Sequence, residues 1–320
     1  MQLLIVCSRN SGQIAPFILE QADSLAKMNI NVDYFTIEGK GIKGYLMSRK
    51  QLMNKMRLYQ PTIIHAHYGL SGLLANLQRR ISVVTTYHGS DINNPKVFPF
   101  SRLCMMLSAQ NIFVSEKNLH KSNRQLLSTH GVTQSHPVSR KNSLIPCGVD
   151  IELFKSVEKS TARKLLGLDE DKHYVLFSGS FHNAVKNPKL ALKAINLVEN
   201  AELIELKGYT REQVVLLMNA VDGVLMTSFT EGSPQFIKEA MACNCPIVSV
   251  PVGDVPNVIN DIEGCYISTY EPNDVAQKLK QALEFGKRTD GRIRIIKLGL
   301  DLETVAKKII DVYQQLITNH

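Results

Sequence analysis

Short apolar runs alternate with amphipathic helical stretches along almost the whole chain of 320 residues. This rhythm is typical of parallel α/β units, because strands buried on both faces are apolar throughout and a helix must cross between them. In the first half it predicts strands near 2–7, 30–36, 62–66, 81–86, 110–115 and 142–145, and helices near 14–28, 45–59, 70–79, 98–108 and 116–128.

The rhythm breaks at a turn-rich segment, 146–150, and then restarts. The second half predicts strands near 173–178, 202–206, 222–227, 245–249 and 264–267, with helices near 189–199, 210–220, 234–243, 271–285 and 301–317. A chain of this length exceeds what one hydrophobic core usually serves. We therefore predict two doubly wound, Rossmann-like domains at 1–148 and 149–300, and a last helix in 301–320 that crosses back to the first domain.

Positive charge is concentrated in the first half of the chain. Residues 1–150 hold 17 Lys and Arg against 7 Asp and Glu, whereas the remainder holds 20 against 22. The stretch from Lys40 to Arg57 has six basic residues and no acidic one. Such a field attracts anionic surfaces or substrates, although a merely solvated basic face stays an equal alternative.

Several classes of protein are disfavoured. No apolar run is long enough to span a bilayer, and the N-terminus reads as a first strand because a basic leader is missing. Six scattered cysteines without paired spacing indicate reduced thiols and a cytoplasmic protein, with no metal site. No G-x-G-x-x-G follows a first strand, which argues against a dehydrogenase, and the basic clusters lack interleaved aromatics, which argues against nucleic-acid binding.

The most specific segment runs from Thr227 to Ala240, where a predicted strand leads into a helix. Ligands of open α/β sheets lie beyond the carboxyl ends of the strands. Glu231 leaves the strand and Glu239 follows eight positions later, in the helix. Gly232 permits close approach of the backbone, and Ser233 and Pro234 suit a helix N-cap and first position. Free N–H groups there favour a diphosphate, and a carboxylate within the helix can accept bonds from ribose hydroxyls.

This segment resembles the E-x7-E signature of the retaining glycosyltransferase family 4, which has the two-domain GT-B fold. The similarity extends along most of the chain, and motifs that are weak individually occur in the family's order and separation. They are Ile63–Gly69 (IIHAHYG), Thr85–Asp91 (TTYHGSD), the interdomain turn Leu144–Asp150 (LIPCGVD) and the run Asp222–Asp254.

The resemblance implies a role for each matching residue. Glu239 would bind the ribose of a nucleoside-diphosphate sugar, Glu231 the donor sugar, and Lys186 the leaving diphosphate. His88 would lie beside the reacting sugar. Further donor contacts would come from Gly12, Gly179, Gly208, Tyr209, Gly232, Ser233, Pro234 and Gln235, with Gly12 reaching the diphosphate across a cleft between the two sheets. A lysine with amide dipoles can stabilise the departing charge without a metal or other cofactor.

Two features of the pattern stay open. The family pairs its phosphate lysine with an arginine where this chain has Ser180, so His182, Lys189 or Lys186 alone would complete the anion site. Asp91 would orient His88 or cap a helix.

The strand-end histidines supply candidates for the acceptor. His65 and His67 are expected to face alternate sides of their strand, so that only one points toward the site. We predict His67, with Tyr68, as the acceptor contact, and His65 as the weaker candidate.

As a whole, the resemblance implies a retaining, metal-independent glycosyltransferase of surface polysaccharide biosynthesis. Its donor would be an NDP-sugar, with UDP or GDP as the nucleotide, and its acceptor a glycan, a glycolipid or a lipid-linked carrier at an anionic membrane, received by the first domain. A non-catalytic GT-B scaffold and a sugar-nucleotide epimerase or phosphorylase are the alternatives. The sequence leaves the base, the sugar and the linkage undetermined.

Overall fold

The computed structural model describes residues 1–10, 12–39, 41–127 and 141–318. The chain forms two compact units, one made of the residues up to Gly148 together with the last helix, the other of Val149–Asp301. The chain leaves the first unit after Gly148 and returns to it at Leu302. At this crossing Val149 N–H donates to the Leu300 carbonyl (2.9 Å), and Val149 bridges Asp301.

The first unit contains a parallel sheet with the strand order β2-β1-β3-β4-β5-β6 in the described residues. The strands are β1 (Gln2–Ser8), β2 (Asn31–Ile37), β3 (Ile63–His67), β4 (Val83–Tyr87), β5 (Gln110–Phe113) and β6 (Asn142–Leu144). The helices are α1 (Pro16–Lys27), α2 (Gly41–Met47), α3 (Arg49–Tyr59), α4 (Gly69–Asn76), α5 (Ser90–Asn93), α6 (Phe98–Leu107), α7 (Glu116–Leu127) and, from the end of the chain, α15 (Leu302–Thr318).

Helices cover both faces of this sheet, as the apolar strands require. Successive side chains of a strand point to opposite faces. Leu3 and Ile5 of β1 therefore pack with α1 and α15, where Tyr313 is fully buried, while Leu4 and Val6 pack with α3 and α4. The last helix thus belongs to the core of the first unit.

The second unit contains a parallel sheet with the order β11-β10-β9-β7-β8. Its strands are β7 (His173–Phe177), β8 (Ala201–Glu205), β9 (Gly223–Met226), β10 (Ile247–Ser249) and β11 (Cys265–Ile267). Its helices are α8 (Lys159–Leu166), α9 (Pro188–Ile195), α10 (Arg211–Ala220), α11 (Gln235–Ala242), α12 (Val255–Val258), α13 (Pro272–Phe285) and α14 (Gly291–Leu298), with a 3-10 turn at Ala184–Lys186. The prediction of two doubly wound parallel sheets is confirmed.

Two local predictions were wrong. The segment predicted as one helix near 45–59 forms two helices, α2 and α3, which are separated at Ser48. The Ser48 hydroxyl donates to the Gly44 carbonyl (3.1 Å), a local side-chain bond of the kind that competes with regular helical bonding. Ser233 is not the cap of α11, because its hydroxyl donates to Asp254 (2.5 Å) and Pro234 occupies the N-cap position.

No helix among the described residues combines the length and apolar character needed to cross a membrane.

Candidate functional site

The carboxyl edge of the second sheet holds an ion pair between Lys186 and Glu231, with Nζ 2.7 Å from Oε1. Lys186 ends the 3-10 turn that follows β7, and Glu231 lies in the loop between β9 and α11. The Thr227 hydroxyl, at the end of β9, lies 2.9 Å from the carbonyl oxygens of both Lys186 and Asn187. The two charged residues are therefore held together by backbone as well as side-chain contacts.

Gly179 leaves the space in which the side chain of Lys186 lies. It follows β7, and a Cβ added there would lie 3.1 Å from Cγ of Lys186. Any larger residue would push against the lysine stem, so the predicted donor-site glycine packs against the predicted phosphate lysine. The side chains of Lys186 and Glu231 are 22% and 17% exposed, so neither is completely closed to solvent.

Gly232, Ser233 and Pro234 form the buried turn into α11, and Gln235 is the first residue of the helix. The Asp254 N–H donates to the Gly232 carbonyl (3.1 Å), and the Asp254 carboxylate accepts from Ser233 (2.5 Å). Burial raises the pKa of this carboxyl, and the charge of Lys238 opposes the rise. Asp254 thus fixes the loop that carries Glu231, a role that the sequence reasoning missed.

Glu239 lies one turn into α11 with a side chain only 8% exposed, and its Oε1 accepts from Nη2 of Arg211 (2.8 Å). The Arg211 guanidinium lies 4.7 Å from the ring centroid of Phe154. A buried carboxylate needs such a partner, because an unpaired charge is costly to bury. Arg211 was not predicted; no spacing rule connects it to a glutamate 28 positions later.

The predicted base loop leads directly to this arginine. Gly208 has φ +80°, Tyr209 is 39% exposed, and Thr210 caps α10 through a reciprocal capping box with Gln213. Because Arg211 is the first residue of α10 and bonds Glu239, the structure brings the Gly208–Tyr209 loop close to Glu239.

Ser180, where an arginine was expected, is engaged elsewhere. Its hydroxyl donates to Glu205 Oε1 (2.8 Å), and the N–H of Phe181 donates to the same oxygen (2.6 Å). These bonds hold the pKa of the Glu205 carboxyl below its ordinary value. His182 and Lys189 are exposed, and Lys186 is the cation placed against Glu231.

The first unit gathers His67, Tyr68 and His88 at the carboxyl edge of its sheet. His67 Nδ1 lies 3.0 Å from His88 Nε2, and the rings of Tyr68 and His88 have centroids 4.6 Å apart. His67 is fully buried, and burial lowers its pKa to about 3, so the imidazole is neutral at physiological pH. Its Nδ1 contacts His88, and its buried Nε2 has no hydrogen-bond partner among the described residues. Gly12, at φ +97°, follows β1 in the same unit.

The prediction that His65 and His67 face alternate sides was wrong. Their rings stack at 4.7 Å, because residues two apart on a strand share a face. His65 Nδ1 lies 2.5 Å from the Tyr313 hydroxyl, and Nε2 lies 2.7 Å from Thr86 Oγ1. Burial and the neighbouring histidines lower the pKa of His65 well below its ordinary value. His65 is a satisfied core residue.

Asp91 ties two strand ends together. Its carboxylate accepts from the N–H groups of Gly69 (3.1 Å) and Gly89 (2.9 Å). Burial raises the pKa of Asp91 to about 6, and these N–H bonds oppose the rise. Gly89 precedes α5 and directly follows His88, so Asp91 holds the histidine loop by its backbone.

Comparisons with known proteins show which family the chain resembles. The family described as Glycosyltransferase Family 4 matches residues 29–153, and the family described as Glycosyl transferases group 1 matches residues 196–284. The D-inositol 3-phosphate glycosyltransferase of Mycolicibacterium smegmatis is 24% identical over 267 residues, which cover 69% of this chain and 59% of that protein. The chain thus spans about three fifths of the length of this curated relative.

Two solved structures share the fold over nearly their whole length. Sucrose-phosphate synthase from Thermosynechococcus elongatus has a TM-score of 0.78 at 18% identity and covers 100% of this chain and 99% of its own. Anabaena HepE in complex with UDP has a TM-score of 0.74 at 16% identity and covers 98% of this chain and 100% of its own. At these identities the likeness is one of fold.

Proposed function

This chain belongs to the glycosyltransferases of family 4, and from that premise we propose that it moves a sugar from a nucleoside-diphosphate sugar to an acceptor with retention of configuration. The observation that carries the proposal is the ion pair of Lys186 with Glu231, set at the end of the sheet beside the turn into α11. Glu239 lies within that helix, paired with Arg211.

The donor would bind along this edge of the second unit. Glu239 retains acceptor capacity for the two ribose hydroxyls, since a carboxylate has about four lone-pair sites and Arg211 Nη2 contacts Oε1. Lys186 would bind the diphosphate, because its ammonium has three donors and Glu231 accepts one. Glu231 would then hold hydroxyls of the sugar, and the exposed Gly208–Tyr209 loop the base. UDP or GDP is the nucleotide we propose; HepE, similar in fold, was crystallised with UDP and with UDP-glucose.

The transfer itself requires stabilisation of the leaving group. The bond between the anomeric carbon and the phosphate oxygen breaks, and its electron pair stays on the diphosphate, which Lys186 neutralises. The acceptor oxygen bonds the anomeric carbon on the same face and gives its proton to the departing phosphate oxygen. Fixed charges of this kind lower the barrier because they need no rearrangement as charge develops.

In the first unit, we propose that His88 contacts the reacting sugar, with Tyr68 and, through the imidazole chain, His67 supporting it. The neutral imidazole of His67 can orient His88 by hydrogen bonding and adds no competing charge. Gly12 would approach the diphosphate with its backbone.

The acceptor we propose is a glycan or a lipid-linked sugar used in surface polysaccharide synthesis, received at an anionic membrane. Support comes from α2 and α3, where Met47 and Leu58 are 72% and 84% exposed among the exposed basic residues Lys43, Arg49 and Arg57. Each basic side chain near an anionic surface contributes about 1 kcal/mol of binding.

Co-sedimentation with phosphatidylglycerol vesicles tests this contact. Binding should fall with salt, and after Lys43→Glu with Arg57→Glu, while Leu58→Ser should weaken it at any salt. Binding that is indifferent to all three changes would refute it.

Calorimetry with UDP, GDP and ADP, followed by assays of slow hydrolysis of the matching NDP-sugar, tests the proposed activity. We expect one nucleotide to bind and its sugar donor to be hydrolysed even without acceptor. Binding without any turnover would favour a non-catalytic scaffold, and release of an epimerised sugar nucleotide would favour an epimerase. Failure of all three nucleotides to bind would overturn the proposal.

A further inference from the structure

Two aromatic side chains of the second unit are exposed side by side. Phe229 is 62% and Tyr270 is 40% exposed, and their rings are nearly parallel, at 11° with centroids 6.1 Å apart. Phe154 and Phe177 of the same unit are fully buried, whereas Tyr209 is 39% exposed. An exposed pair of rings in a fixed arrangement is a typical feature of a binding surface.

The two rings are held by the backbone beneath them. The Tyr270 hydroxyl donates to the carbonyl of Ser228 (3.0 Å), a fully buried residue. The N–H of Phe229 donates to the carbonyl of Val185 (3.0 Å). The Tyr270 ring and the backbone of Phe229 are therefore anchored to the segments that lead into Lys186 and Glu231, and this limits the entropy lost in ordering the two residues when a ligand binds.

Together with Val185, which is 47% exposed, these rings form what we call the aromatic ledge. Val185 immediately precedes Lys186, and Phe229 lies two positions before Glu231. Two residues of chain span at most about 7 Å, so the ledge borders the Lys186–Glu231 pair.

We propose that the aromatic ledge binds one pyranose ring of the acceptor glycan by its C–H face; the inference rests on the proposed glycosyl transfer. The less hydroxylated face of a pyranose presents C–H groups, which pack on the electron-rich face of an aromatic ring. The ledge offers little for hydroxyls, because Phe229 has no polar atom and the Tyr270 hydroxyl already donates to Ser228.

The other parts of the substrate fit this surface less well. The donor sugar needs contacts to its individual hydroxyls, which suit the Glu231 carboxylate better than the ledge, where only the oxygen of the Tyr270 hydroxyl can accept. The base belongs with the Gly208–Tyr209 loop, which leads to Arg211 and Glu239. An acceptor sugar next to the reacting one needs a flat support of moderate selectivity, which the ledge provides.

Saturation-transfer NMR tests the ledge with a panel of methyl glycosides of glucose, galactose, mannose and N-acetylglucosamine at millimolar concentration, with the nucleotide that binds present in excess. Phe229→Ala removes the ledge ring, Phe229→Trp keeps an aromatic face, and Ile293→Ala is the matched control, since Ile293 is 66% exposed in the same unit.

We expect enhancement of the ring C–H protons of at least one glycoside in the wild type, in Phe229→Trp and in Ile293→Ala. Its affinity should fall about 3- to 10-fold in Phe229→Ala, while nucleotide affinity stays unchanged. Equal glycoside binding by wild type and Phe229→Ala, or no enhancement for any glycoside in a wild type that binds nucleotide, would overturn the ledge. A wild type that binds no nucleotide would instead overturn the proposed function.

Discussion

Replacement of Glu239 with alanine should abolish the protein's preference for a nucleotide with an intact ribose. The Glu239 carboxylate is 8% exposed and held at 2.8 Å by Arg211, so it is oriented before the ligand arrives. The ribose hydroxyls would donate to it in a site largely closed to water. A nucleotide without these hydroxyls would leave the carboxylate short of partners.

The size of the effect follows from the charge and the burial. Hydrogen bonds to a charged group contribute about 1.5 to 3 kcal/mol, which corresponds to roughly 10- to 150-fold in affinity. Because 2′,3′-dideoxy-UDP lacks both hydroxyls, the wild type should bind UDP tighter than this analogue by at least that factor. If GDP is the ligand, the same holds for GDP and its dideoxy analogue. Glu239→Ala should bind both forms equally and weakly.

Variants of Arg211 test whether this arginine acts on the nucleotide through Glu239. Arg211→Ala should weaken binding of the ribose nucleotide, and the double variant should be no worse than Glu239→Ala, because the arginine would act through the carboxylate. Glu212→Ala is the matched control, an exposed acidic residue next to Arg211 in the same helix. Calorimetry with both nucleotides on the wild type, the two single variants and the double variant measures this double-mutant cycle. If Glu239→Ala kept the wild-type preference for ribose, the assigned role would be wrong.

Three further outcomes are expected. Lys186→Ala should slow turnover of the NDP-sugar about 100- to 1000-fold, measured at saturating donor, because the departing diphosphate loses its cation; unchanged turnover would contradict this. Burial raises the pKa of Asp91 from 3.8 to about 6, so its stabilising contribution is complete below pH 4 and is lost as the pH rises through 6. Between pH 4 and 8 the free energy of unfolding should fall by about 3 kcal/mol more in the wild type than in Asp91→Asn, and parallel curves would refute this. Tyr313→Phe leaves Nδ1 of buried His65 without its hydroxyl partner and should cost about 1 to 3 kcal/mol in urea unfolding, whereas no change in the midpoint would show that the contact is unimportant.

The strands and most long helices could be predicted from the sequence because their patterns are local. Most of the buried parallel strands read as largely apolar runs, as in β1, and the observed strand bounds differ from the predicted ones by a residue or two. Short helices such as α8 and α14 were missed. Each has eight residues, and most of their stability comes from packing on the rest of the unit, not from their own sequence.

Contacts between distant segments were harder to predict. The family resemblance predicted Glu231, Glu239 and Lys186 as site residues, and the structure places Lys186 and Glu231 in direct contact. The partner of Glu239 could not be found, because Arg211 is brought to it by the packing of α10 beside α11. The prediction for His65 was wrong for a different reason. Residues two apart on a strand point to the same face, so the sequence alone was enough to place His65 beside His67, but the prediction put them on opposite faces.

The ledge residues gave no sequence signal at all. A phenylalanine after a strand is most simply read as part of the core, and only the structure reveals that Phe229 is exposed beside Tyr270.

A crystal structure of the protein with its bound nucleoside diphosphate tests the central claim most directly. We predict phosphate oxygens within about 3 Å of Nζ of Lys186 and both ribose hydroxyls at the carboxylate of Glu239. A nucleotide bound away from the loop that joins β9 to α11 would contradict the account.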